Sequence, residues 1–149
     1  MNAEIVVERL RRFLLILAGL ICLATVVELW LIKHTEDPIQ FLPFVLCGLG
    51  LIAIVMVLRR PQRATLRLLQ GIMALLIVGS GFGIYEHVTS NLEFALEIQP
   101  NATLNTLIFK ALGGANPLLA PGMLAFAAIL AIAATYYHPA LETGELAKR

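Results

Sequence analysis

Residues 68–85 read LLQGIMALLIVGSGFGIY, eighteen positions without a charge, with Arg67 at one end and Glu86 at the other. A helix rises about 1.5 Å per residue, so roughly 20 apolar residues cover the ~30 Å hydrocarbon core of a bilayer. The stretch therefore predicts a transmembrane helix with one basic and one acidic end. Three further stretches have the same character: Phe13–Leu31, Ile39–Leu58 and Leu118–Tyr137. The expected fold is an all-α integral membrane protein, with four transmembrane helices in an up-down bundle.

Composition agrees. Charged residues make up 14% of the chain and hydrophobic ones 59%, with a mean hydropathy of +0.85; soluble domains average about 25% charged. Four spans absorb nearly all the apolar residues, which leaves one membrane domain over 1–149 and no water-soluble core. A net charge of +1 gives no reason to expect nucleic acid as a partner.

The placement of charge sets the expected topology. Arg9, Arg11 and Arg12 precede the first span, Arg59, Arg60, Arg63 and Arg67 lie between the second and third, and Lys148 and Arg149 close the sequence. With alternating spans these share one side, and only Lys33 and Lys110 fall on the other. The positive-inside rule puts the basic side and both termini in the cytoplasm of a bacterial-type plasma (inner) membrane. Glu36, Asp37, Glu86, Glu93 and Glu97 make the outer side acidic. The first apolar run has about 19 residues and no clear small-residue cleavage site, so it reads as an anchor rather than a signal peptide.

The connections divide unevenly. Ile32–Pro38 is a tight hairpin, Trp30 suits an outer interface, and Pro43 is expected to disturb the start of span two. Pro61 stops that span. Tyr136 and Tyr137 form an aromatic anchor, and 138–149 is a cytoplasmic tail.

The outer loop 86–116 is too long for a turn. If span three continues as helix, Glu86, Ser90, Glu93 and Glu97 share one face. Pro100-Asn101 marks the stop. Leu104, Leu107, Ile108, Ala111 and Leu112 then give the amphipathic helical pattern over Thr103–Leu112, ended by Gly113-Gly114. Ten residues cannot span, so this is a short outer-surface helix on the membrane or over the bundle. Asn101-Ala102-Thr103 is a formal glycosylation sequon.

Small residues suggest close helix contacts. Gly79 and Gly83 are four apart, as are Ala127 and Ala131, and such pairs let backbones approach. They serve packing of spans three and four or a homo-oligomer seam.

Candidate chemistry is sparse. Glu28 lies one turn from the outer end of span one, within reach of headgroups; Gln40 and Gln70 also lie near span ends. His34 and His87 fall on the outer side near Glu86, Glu93 and Asn91, a set that suits a divalent metal or a hydrogen-bond cluster. His87 and Asn91 are four apart. No H-x-x-x-H or H-E-x-x-H occurs, and no histidine lies within a span, which argues against a transmembrane haem. Cys22 and Cys47 lie at similar depth on adjacent spans and read as buried small hydrophobes. The paired outer-face cysteines of membrane thiol oxidoreductases are missing. Glu28 is also too shallow for the deep carboxylate of the small multidrug transporters.

No cofactor is expected. The foremost functional expectation is a non-catalytic accessory or assembly subunit that meets a membrane-protein partner through the outer loop, with Glu86, His87, Asn91, Glu93 and Glu97 near its working surface. The alternatives are a small oligomeric transporter or ion-handling protein, with Glu28, Glu86 and His87 in its vestibule, and an outer-face metalloenzyme.

Overall fold

A computed structural model describes residues 3–142. Lys148, Arg149 and the tail beyond 142 lie outside the described residues. In chain order the elements are α1 (Ala3–Leu31), a 3-10 turn (Pro38–Phe41), α2 (Leu42–Arg59), α3 (Arg63–Ile98), α4 (Leu104–Gly113), α5 (Leu119–Ala133) and the single turn α6 (Pro139–Glu142). Among the described residues there is no strand. Three helical runs, Ala3–Leu31, Pro38–Arg59 and Arg63–Ile98, are long and apolar enough to cross a membrane.

The α1–α2 hairpin has a defined stop. Lys33 adopts φ 54°, its N–H donates to the Trp30 carbonyl, and the His34 N–H reaches back to the Leu29 carbonyl at 2.9 Å. This is a Schellman motif, which satisfies carbonyls that α1 would otherwise leave open. It uses lysine where glycine is usual. Gln40 then accepts the Glu36 N–H at 2.8 Å, which starts the 3-10 turn. Pro43 is the second residue of α2. Its missing N–H falls in the first turn, where no intrahelical bond is lost.

α1 packs on α2 and α5, and α3 packs on the same two helices. The buried positions explain this. Leu15, Ala18, Cys22, Thr25 and Leu29 of α1 recur at alternating intervals of three and four, as do Leu66, Leu69, Met73, Leu76 and Ser80 of α3. That spacing is the seam of shallow-angle helix packing. Cys47, Ala53, Ile54 and Val57 of α2 face the same core, as do Leu124, Ala127, Ala128 and Ala131 of α5. Ala127 and Ala131 are fully buried within the chain.

The glycines of α3 serve two neighbours. A Cβ on Gly79 would fall 2.4 Å from Leu46 Cδ1 of α2, and one on Gly83 would lie 3.2 Å from Pro121 Cβ of α5. α5 is fixed at both ends by polar bonds. The Ser80 hydroxyl donates to the Pro121 carbonyl near its start, and Gln70 Nε2 donates to Thr135 Oγ1 at 2.9 Å beyond its end.

α5 differs from its sequence expectation. The stretch 118–137 forms a helix of 15 residues, Leu119–Ala133, followed by turns through Tyr137. One local bond and two distant ones accompany the early stop. Thr135 Oγ1 donates to the Ile132 carbonyl at 2.7 Å, and Arg11 takes the Tyr136 and Tyr137 carbonyls at 3.1 and 2.8 Å. Tyr137 sits at φ 47°, which breaks the helical path.

Candidate functional site

α3 has 36 residues. At about 1.5 Å each it is ~54 Å long, well beyond the ~30 Å of a hydrocarbon core. The helix continues unbroken past Tyr85, ends at Ile98, and turns at Pro100-Asn101. Glu86, Glu93 and Glu97 are exposed on this extension. None of them joins a salt bridge among the described residues, where the pair found is Arg12 with Glu8.

α4 folds back onto the extension. Thr103 caps its start, accepting the Thr106 N–H through its hydroxyl. Lys110 Nζ donates to Gln99 Oε1 at 2.9 Å, tying the last turn of α4 to the end of α3.

The centre of this hairpin is Asn91, which is 3% exposed. Its Nδ2 donates to the Ala111 carbonyl at 3.1 Å and to the Asn116 carbonyl at 2.9 Å. Its Oδ1 accepts the Asn116 N–H at 2.9 Å. An amide is the one neutral side-chain group that donates twice and accepts at the same tip, so it matches this arrangement of backbone groups. Asn116 Nδ2 adds a bond to Ser90 Oγ at 2.9 Å. Gly114 makes the close approach possible: a Cβ there would lie 2.5 Å from Asn91 Cγ and 2.7 Å from the Lys110 carbonyl oxygen. His87 Nδ1 completes the tether with a 2.8 Å bond to the Pro117 carbonyl, just before α5. Asn91 and His87 thus share a structural task, fixing the return path of the loop.

His34 and His87 are brought near one another from separate elements. Burial, and secondarily the neighbouring His87, hold the His34 pKa below the usual histidine range. Among the described residues no three of His, Cys, Asp or Glu gather in a group able to hold a metal ion. Glu28 is exposed on the outward face of α1, beside a shallow groove lined by Leu20, Leu23, Ala24 and Val27. No hydrogen bond or ion pair joins it to His87 or Glu86 among the described residues. Cys22 and Cys47 are unbridged and buried.

The apolar pattern of α4 divides into two faces. Ala111 is buried and Leu107 half-buried, while Leu104, Ile108, Leu112 and Phe109 are exposed. Phe109, at 78% exposure, is the most open of them. Sequence reasoning missed it. Two separate four-residue rows, 104/108/112 and 107/111, carried the signal for two faces, and Phe109 borders the outer row. The roles of Gly114, Asn116 and Pro117 were also missed. The run Gly-Gly-Ala-Asn-Pro, which breaks helix and supplies side-chain amides, was their trace.

The hairpin therefore presents a fixed apolar row with carboxylates on the adjoining helix. No family model matches this chain, and neither a curated protein nor a solved structure matches it significantly.

Proposed function

We propose that the chain is a multi-pass protein of a bacterial-type plasma membrane that works without catalysis, as an accessory or assembly subunit. In this reading α1, α2, α3 and α5 cross the bilayer as an up-down four-helix bundle. Both termini are cytoplasmic, and the α3–α4 hairpin stands on the outer side. The basic ends of the first three spans and the acidic outer segments support this orientation.

One observation carries the functional reading: the exposed row Leu104, Ile108, Phe109 and Leu112 on a hairpin held by the side-chain bonds of the buried Asn91. An exposed apolar patch on a braced element marks an interaction surface. Its partner is a second membrane protein that offers an apolar helix face, with Glu86, Glu93 and Glu97 available to basic groups at the rim.

The test is a photo-reactive side chain at Phe109 in cells that express the full chain. A discrete protein adduct, lost in Ile108→Asp, supports the reading. Adducts to lipid alone would show that the row rests on the membrane and would defeat it. Topology is checked separately by impermeant thiol labelling in intact cells. Ser90→Cys should label and Gln62→Cys should be protected, and the reverse would invert the orientation.

A further inference from the structure

At the end of the bundle opposite the hairpin, the described residues line an open cleft of about 670 Å³. That lies within the size range of small-ligand sites, roughly 300–1,000 Å³. It is bounded by the first three turns of α1, the α2–α3 connection and the segment after α5. Its walls are of two kinds. Val7, Leu58, Pro61 and Pro139 give it apolar surface, with Leu15, Val57 and Leu66 buried beneath them. Glu4, Glu8, Arg11, Arg12 and His138 line it as well.

The charged wall is mixed in sign, and that decides the ligand class. Arg11 uses Nη2 for the Tyr136 and Tyr137 carbonyls. Arg12 donates to Glu8 at 2.7 Å, with the two side chains 66% and 63% exposed. An exposed pair of this kind is weakly held and readily exchanged for another partner. His138 adds no strong charge, because burial and the adjacent Arg11 hold its pKa below the usual range. A simple anion entering here would meet two carboxylates. A headgroup that carries both a phosphate and an ammonium meets each sign with its opposite.

We propose that this cleft is the headgroup site of an aminophospholipid. The phosphate sits against Arg11 and Arg12, the primary ammonium against Glu8, and the glycerol and proximal acyl carbons against Val7, Leu58 and Pro61. Two features favour a lipid over a soluble phosphoester: the lining sets exposed Val7, Pro61 and Pro139 beside the arginines, and its Leu58 and Pro61 adjoin Arg59 and Arg60 of a basic belt suited to a membrane surface. Guanidinium groups suit a phosphate of either source through paired N–H donors. This inference rests on the inner end of the bundle and is independent of what the hairpin recognises.

The full chain, purified in detergent, is exposed to equimolar phosphatidylethanolamine, phosphatidylglycerol and phosphatidylcholine, and retained lipid is read by native mass spectrometry. Wild type should retain phosphatidylethanolamine about tenfold over each of the others, the ratio that one charge-assisted hydrogen bond supplies. Glu8→Gln with Arg12→Gln should remove the preference, and Val7→Trp, which fills the cleft mouth, should remove retention. All are surface changes outside the core, and circular dichroism confirms folding. Equal retention of the three lipids by wild type overturns the proposal, as does a preference for phosphatidylglycerol, which would reflect the basic belt alone. A preference unchanged in these variants overturns it too. So does competition by glycerophosphoethanolamine as effective as that of the intact lipid, since the apolar lining would then play no part.

Discussion

Replacing Asn91 by leucine removes the clamp at the centre of the hairpin and leaves the spans untouched. The side chains are similar in size, so α3 keeps its helix and its packing volume. Three hydrogen bonds disappear, two from Nδ2 and one to Oδ1. At ~1 kcal/mol net for each, the loss is about 3 kcal/mol. The Ala111 carbonyl sits in the buried part of the site and loses its partner there, which raises the cost. The Asn116 groups are nearer water and rehydrate. Because α4 packs mainly on α3, the loss falls on opening of the hairpin rather than on unfolding of the core. With 1.4 kcal/mol per factor of ten, about 3 kcal/mol speeds local opening ~100-fold. Hydrogen exchange by mass spectrometry, on protein in detergent or nanodiscs, should show this acceleration at the amides of Leu107–Leu112. The amides of Met73–Ser80 should keep wild-type rates. If the α4 amides of the folded variant exchange at wild-type rates, Asn91 does not hold the hairpin. If both sets accelerate equally, the hairpin and the bundle are one cooperative unit and the hairpin does not open on its own.

Gly79→Leu with Gly83→Leu should destabilise by about 1–3 kcal/mol per site, read as a lower thermal midpoint in detergent; an unchanged midpoint would mean that these faces do not approach their neighbours. Lys33→Gly and Tyr137→Gly should each stabilise by about 1 kcal/mol, since both residues hold a left-handed conformation that L side chains resist; a lower midpoint would refute this. The folded state resists protonation of His34 and His138, so the unfolded chain takes up their protons first. Stability should be full above the unperturbed histidine pKa of about 6.5 and should fall as pH drops below it. His34→Gln with His138→Gln should flatten that dependence, and a wild-type slope in the double variant would assign it to other groups.

The α3–α4 hairpin was largely legible in the sequence because turn chemistry is local. Pro100-Asn101 and Gly113-Gly114 bracket α4 to within a residue, and the carboxylate spacing expected of a continued α3 is found on a continuous helix. The inward face of each span was not legible. In water an apolar stripe marks the buried side, but in a span the outward side is apolar as well. Leu20 and Leu23 read like Leu15 and Leu69, although the first two are exposed and the others buried. Small residues were the only trace, and they led to Gly79, Gly83, Ala127 and Ala131. Asn91 was singled out for its neighbourhood to His87, but its task depends on backbone groups 20 and 25 residues away. The early end of α5 escaped for the same reason, since Arg11 acts on it from 125 residues away.

That early end bears on the lipid around the protein. A helix of 15 residues measures about 22 Å, several ångströms short of a ~30 Å hydrocarbon slab. If α5 crosses, the bilayer beside it must dimple, or the neighbouring spans must tilt, at a cost of a fraction of a kcal/mol per ångström. Membrane thickness then becomes a variable that acts on this protein directly. Thin bilayers would relieve the strain and thick ones would add to it. The chain would sort toward thin or fluid patches, and would gather beside other proteins that pinch the membrane by a similar amount.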